Sequence, residues 1–486
     1  MMKTKLILLV LTFISISFAK AQTLWDLTSP NGSLKISLAL EQGSLFYSVS
    51  IYDNSTFKSV ITKSPLGIVR EDGDFTESLA FDKVGSLKAV NETFRVQSGK
   101  ALQLNNSANE LEVTFKNTGQ QLITIVLRAY DDGIAFRYLF PEQKEGDFSI
   151  TKELTGFGFS DGKAWMIPYD DVTKWTPAYE ADYNNGIAIG ADSPKKNGWC
   201  FPALFHTNDI WVLLTEAGLE GSFYGAHLNA ESKDGMYTIR FPEKEESQGV
   251  YGQHATSTSL PWATPWRLAV IGNDLNTIVS SNLVKFLSPK SKIKDTSWIK
   301  PGRVSWSWLT DHDSPKDYDK LKQFVDLSAH MGWEYSLVDA NWNAMKGGNI
   351  EQLIDYANAK KVGLFLWYNS GGPHNDVSEE LRDLMHLKET RVAEFKKLAE
   401  WGIKGIKIDF FQSDKPGMMQ LYQDILEDAA KYQLLVNFHG STIPRGWSRT
   451  YPNLLSMEAV RGGECYTFSE VFTENAPINN TILPVT

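Results

Sequence analysis

The chain has 486 residues, more than one ordinary hydrophobic core holds, so two or more domains are expected. Its formal net charge of −10 is spread without long basic or acidic blocks, which argues against nucleic acid as a partner. The 15 Trp and 18 Tyr will mostly fill cores, with a minority left as flat platforms for sugar faces. The first residues, MMKTKLILLVLTFISISFAKAQ, read as a secretory signal peptide. Lys3 and Lys5 precede an apolar stretch from Leu6 to Phe18, and Ala19-Lys20-Ala21 supplies the small-x-small cleavage pattern. Residues 1–22 are therefore set aside, and export to the periplasm is expected, with no membrane span once the leader is removed. Cys200 and Cys465 lie far apart in sequence and leave the question of a bridge open.

Residues 23–285 read as strands. GSLKISLALEQGSLFYSVSIYDN alternates apolar and polar residues on both sides of the turn EQGS, and NELEVTFKN and QLITIVLRAYDDGIAFRYLF continue the pattern. Asp131-Asp132-Gly133 is a hairpin signal. An antiparallel β-sandwich is the most economical N-terminal domain.

Near residue 285 the rhythm changes. The polar, proline-bearing connector KFLSPKSKIKDTSWIKPG opens a second domain, 286–486. Six apolar runs follow: 302–309, 335–342, 362–369, 403–411, 434–440 and 454–460. Amphipathic helical stretches separate most of them. Strand-helix repetition with near-continuous apolar strands predicts a parallel sheet covered by helices. Polar residues gather at the C-terminal ends of the runs: Asp339, Asn341, Asn369, Asp409, His439 and Glu458. Chemistry is built at that end of a β/α barrel, and no glycine-rich phosphate loop favours a doubly wound sheet. The expected fold is an incomplete (β/α)8 TIM-type barrel, truncated after about strand six.

In IKGIKIDFF, Lys407 and Asp409 are two apart and so share one face of a strand. The apolar neighbours Ile406 and Ile408 then face the helices. A buried charged pair is either a structural ion pair or a carboxylate kept ionised by an adjacent ammonium and hence a nucleophile. Glycoside hydrolysis needs a second carboxyl group, and SMEAVRGGE offers Glu458 and Glu464 at and after the sixth run. Strands four and six lie about 10 Å apart at the backbone. Inward side chains can close that to the roughly 5 Å of retaining enzymes.

These stretches resemble glycoside hydrolase family 97, and within it the retaining α-galactosidase branch. The resemblance is carried by WMIPYDDVTKWTPAYEADY, VSWSW, MGWEYSLVD, LWYNSGGPHN, GIKGIKIDFF, NFHGS, RTYPNLLSMEAVRGGE and the terminal NNTILP. It implies a β-sandwich packed on a barrel and an exported, exo-acting enzyme that cleaves terminal α-galactosides of oligosaccharides by double displacement. It also implies a calcium ion held largely by glutamates. Carried over residue by residue, the nucleophile falls on Asp409, the acid/base on Glu464, and calcium ligation on Glu180, Glu458 and Glu464. Lys407, His439, Asp339, Asn369, Trp306 and Trp308 become candidate sugar contacts, with Trp342 and His374 nearby. Inverting members, which resemble α-glucosidases, lack the strand-four aspartate and carry a glutamate directly after the strand-five histidine. This chain has Asp409, and Gly440 follows His439. An inverting α-glucosidase and a noncatalytic carbohydrate-binding remnant are the competing expectations.

Overall fold

The alternation around EQGS is realised as a two-residue hairpin in the computed structural model, which describes residues 23–53, 55–169, 179–246 and 255–486. Strands Leu34–Glu41 and Ser44–Asp53 pair antiparallel, Glu41 opposite Ser44. Gln42 and Gly43 both take positive φ, as a tight turn matched to strand twist requires. A side chain at Gly43 would sit 2.8 Å from the Ser78 Cα, so the turn also depends on close backbone approach. Asp131 and Asp132 turn the second predicted hairpin, joining Leu122–Tyr130 to Gly133–Phe140.

Among the described residues these strands belong to a seven-stranded and an eleven-stranded antiparallel sheet. The inner faces meet in one core, where Ile36 and Leu38 pack with Ile123, Ile125, Leu127 and Phe136. The far face of the larger sheet is apolar as well. There Val126, Leu268 and Val270 bury Ile278 and Leu283 of the short helices Leu275–Ser280 and Leu283–Phe286.

The second half is a parallel sheet in sequence order: Val304–Trp306, Tyr335–Val338, Gly363–Asn369, Gly405–Asp409, Leu435–Phe438 and Leu454–Met457. Each lies within one of the six apolar runs. The helices Tyr318–Met331, Ile350–Ala359, Lys388–Glu400 and Pro416–Lys431 follow the first four strands, and Glu470–Ile482 follows the last. Asp317 and Asn349 cap two of these helices by accepting from the N3 backbone N–H, which fixes where the helices begin. Ile406 and Ile408 are fully buried in the same core as Leu421, Ile425 and Leu426 of the helix after them. That placement leaves Lys407 and Asp409 on the opposite face of the strand.

The protein is thus multidomain, a β domain followed by an α/β domain. The two meet through polar contacts as well as packing. Arg445, in the loop after the fifth parallel strand, pairs with Glu216 of the β domain and with Asp414 at 3.0 Å. Glu216 in turn pairs with Arg267, which holds Glu153 at 2.6 Å. Every member of this chain is buried. The Trp447 indole donates to the Leu219 carbonyl at 2.8 Å, and Arg449 pairs with Glu92 at 2.7 Å. No disulfide joins Cys200 to Cys465. The predicted leader lies outside the described residues, and among those residues no helix is long and apolar enough to cross a membrane.

Candidate active site

Asp409 ends the fourth parallel strand, where the backbone turns sharply. Phe410 takes φ +69, an uncommon conformation for a bulky residue. The turn is held from the neighbouring loop: the Ser370 hydroxyl and the Asn375 amide both donate to the Phe410 carbonyl at 2.9 Å. His374 lies 3.1 Å from the same Ser370 hydroxyl. Asn369 organises that loop, donating to the Val377 and Glu379 carbonyls at 3.2 Å and accepting from Gly371 and Asn375. The predicted sugar contact Asn369 is therefore committed to the scaffold behind Asp409. Sequence reasoning missed Ser370 and Asn375, whose only signal was the polar cluster NSGGPHN.

The Asp409 carboxylate is buried and well supplied with donors. Oδ1 accepts from the Phe410 N–H at 2.9 Å and Oδ2 from the Trp367 indole at 3.1 Å. Lys407 Nζ stands 3.7 Å and His439 Nδ1 3.9 Å from Oδ2. Burial raises the Asp409 carboxyl above its ordinary value, with Lys407, His439 and Trp367 working in the opposite direction. Lys407 is closer to Asp339, at 2.9 Å, and that pair together with Asp409 holds the ammonium firmly charged against its own desolvation. The ammonium thus serves two carboxylates, where the sequence suggested one.

Asp339 also accepts from the Trp306 indole at 2.6 Å, and Lys407 lies 4.3 Å from the Trp306 ring centre. Trp306 is stacked on Trp308 with centroids 5.6 Å apart, and Trp308 is stacked on His312 at 4.1 Å. His312 stacks in turn on Phe468, just beyond Glu464, so the aromatic run reaches from the first strand to the last turn of the site. Trp342 is buried, with its N–H on the Trp367 carbonyl at 3.0 Å, and belongs to the wall.

His439 follows the fifth strand and Glu458 the sixth. Their side chains pair at 2.6 Å, Nδ1 to Oε2. Burial alone would lower the imidazole's pKa, yet the Glu458 charge and hydrogen bond raise it above the usual histidine value. Reciprocally, burial raises Glu458, but His439 outweighs it and holds Glu458 below the usual range. Glu464 sits in the short 3-10 turn Gly463–Thr467. Burial, then repulsion from Glu458, pushes its carboxyl up to about 7. Glu180 lies in the segment just before strand Asn184–Ala188 of the β domain. Burial raises it well above the ordinary value, and Glu458, Asp409 and Glu464 add to the shift, which places it at the same mouth.

Donor atoms of His439, Glu458 and Glu464 all lie within 4.8 Å of one another. Glu180 stands outside that group but feels the charges of Glu458 and Glu464, so carboxylates outnumber cations around the mouth, and burial and repulsion drive two of the carboxyls toward protonation. The glutamate oxygens are hard donors with uncompensated charge and fit a calcium ion, whereas His439 offers nitrogen and is engaged by Glu458. The structure brings together Asp409, Glu464, Glu458, Glu180, Lys407, Asp339, His439, Trp306 and Trp308. It assigns Asn369 to the supporting loop.

Two family models match the chain, Glycosyl-hydrolase 97 N-terminal over residues 27–289 and Glycoside hydrolase 97 over residues 298–460. The chain belongs to glycoside hydrolase family 97. A curated relative in this family-97 comparison, a probable retaining alpha-galactosidase of Streptomyces bingchenggensis (strain BCW-1), is 30% identical over 454 residues, which cover 90% of this chain and 66% of its own. A retaining alpha-galactosidase of Bacteroides thetaiotaomicron is 27% identical over 500 residues, covering 95% of this chain and 70% of its own. This family-97 chain thus spans about two thirds of the length of the curated relatives it matches. A solved beta-arabinopyranosidase is 34% identical and superposes with a TM-score of 0.89, over 95% of this chain and 74% of its own.

Proposed function

We propose that this protein hydrolyses terminal α-galactosides as a retaining exo-glycosidase, exported to the periplasm, with Asp409 as nucleophile and Glu464 as acid/base. The observation that carries the reading is the unequal treatment of the two carboxyls. Burial raises the Asp409 carboxyl, and the Trp367 N–H and the charges of Lys407 and His439 oppose that rise and favour its anion. Burial, with repulsion from Glu458, pushes Glu464 up to about 7, so in the metal-free protein much of it carries a proton near neutral pH. The mechanism then runs in two steps. Asp409 attacks the anomeric carbon as the glycosidic bond breaks, and Glu464 gives its proton to the departing oxygen. Glu464 next takes a proton from water, whose oxygen attacks the same carbon and releases Asp409. Two inversions return the sugar with its original configuration. A calcium ion bound by Glu180 and Glu458, with Glu464 as a further ligand, would supply positive charge that offsets the carboxylate excess and would order sugar hydroxyls. Lys407 orients Asp409 and, with Asp339 and Trp306, shapes the wall beside it. The six parallel strands are read as six of the eight of a barrel.

Gly440 supports retention over inversion. A side chain there would meet Asp409 Oδ1 at 2.7 Å, and the backbone already has φ +47. A glutamate after the strand-five histidine and an aspartate at the tip of strand four compete for one space. A second reading is favoured by the similarity to the beta-arabinopyranosidase. A β-L-arabinopyranoside has the ring stereochemistry of an α-D-galactoside without the exocyclic CH2OH, so the same two carboxyls serve both. Comparing kcat/KM for the two nitrophenyl glycosides decides between them. Proton NMR of the first-formed sugar tests the mechanism: α-galactose is expected, and β-galactose overturns retention. Azide should restore turnover of an activated substrate by Asp409→Gly; an unrescued variant counts against the nucleophile and for a noncatalytic chain.

A further inference from the structure

Three of the site's carboxylates come from two segments far apart in sequence, and one residue ties those segments together. Glu180 lies on the segment 179–183, while Glu458 and Glu464 flank the loop after the sixth strand. Asp182, two residues beyond Glu180, accepts from Arg461 Nη1 at 3.0 Å, and Arg461 stands midway between Glu458 and Glu464. The same carboxylate accepts from Asn475 Nδ2 at 2.8 Å and from Asn479 Nδ2 at 2.6 Å, both on the helix Glu470–Ile482. Asn479 returns a bond by accepting from the Tyr183 N–H at 3.4 Å. Three donors on one half-buried carboxylate, one of them a guanidinium, leave it little freedom to move.

We propose that Asp182 is a positioning residue that holds Glu180 in register with Glu458 and Glu464 and thereby sets the affinity of this carboxylate cluster for calcium. The inference rests on the calcium reading for its ligand but on hydrogen bonds alone for its geometry. Without a metal, crowding three carboxyls disfavours the close approach of the two segments, through repulsion or the protonation needed to relieve it. The Asp182–Arg461 pair opposes their separation by fixing the two backbones to each other. The asparagines extend the clamp to the helix behind, which makes sense of both the AYEADY and the NNTILP stretches. Outer groups that orient metal ligands are worth 10–100-fold in affinity.

The test uses the whole chain and its Asp182→Asn variant, with calcium titrated calorimetrically and amide hydrogen exchange followed in chelator. The variant is expected to bind calcium at least tenfold more weakly, and exchange over 180–183 and 458–464 is expected to rise together. Asn475→Ala, which removes one part-buried donor and leaves Arg461 and Asn479 in place, should give a smaller loss in the same direction and covers the case in which Asp182→Asn does not fold. Equal calcium affinity in wild type and variants overturns the proposal. If the wild type binds no calcium the metal reading falls, and exchange alone decides: a joint rise in both segments supports the clamp, and unchanged exchange overturns it.

Discussion

At the scale of single residues the site is a set of unequal compromises between burial and charge. Glu464 gives the clearest expectation. As the proposed general acid it must be protonated, and in the metal-free protein its carboxyl is pushed up to about 7, so the rate should show an alkaline limb that bound calcium moves to lower pH. Glu464→Gln is expected to remove that alkaline limb and to lower kcat by about 10²–10⁴-fold, with less effect on nitrophenyl leaving groups than on sugars. A kcat–pH series on both proteins checks it. Gly440 offers a steric counterpart. Gly440→Ala puts a methyl group 2.7 Å from Asp409 Oδ1 and strains a backbone at φ +47, costing about 1–2 kcal/mol of stability. A displacement of the nucleophile on that scale should lower kcat by about 10²-fold, far more than the stability loss accounts for. Steady-state kinetics beside a urea melt separate the two effects.

At the scale of elements, the sequence was legible wherever period and burial agree. The six parallel strands lie inside six apolar runs because a strand covered on both faces needs no polar alternation. Lys407 and Asp409 interrupt such a run, which made their side of the strand readable before any coordinates. The supports of Asp409 were not legible in this way. Ser370 and Asn375 act on Phe410 from 40 and 35 residues away, and polar loop residues give no periodic signal of what they will face. The pairing of His439 with Glu458 was unreadable too, a contact fixed by the side-by-side packing of strands five and six. The buried chain from Arg445 through Glu216 to Arg267 was equally silent, since its members come from a loop and two strands far apart in sequence. Glu216→Ala would leave two buried guanidinium groups short of a partner, with a loss of about 3–5 kcal/mol. Urea denaturation followed by tryptophan fluorescence measures it.

For the whole molecule, the two domains share ion pairs and an indole hydrogen bond, so they should unfold together. Calorimetry is expected to give one transition, and two resolved peaks would contradict this. Stability should depend on pH in a direction set by the raised carboxyls. Burial lifts Glu246, near the same interface, from 4.5 to about 7, and burial with charge repulsion does the same to Glu464. The folded state therefore holds protons that the unfolded chain has released. Their contribution is full below about 4.5 and is lost as pH rises through about 7. The melting temperature in chelator should fall over that window, and calcium should flatten the decline if it binds the cluster.

Because Glu180 and its neighbour Asp182 are contributed by the first domain, the proposed reaction centre is not the property of the β/α half alone. A recombinant that grafts this half onto a cousin's sandwich would inherit mismatched partners for Arg445 and Arg461 at once. Shuffled libraries should therefore exchange the two halves as a matched pair, and lineages diverging in sugar preference are expected to carry compensating changes on both sides of the seam.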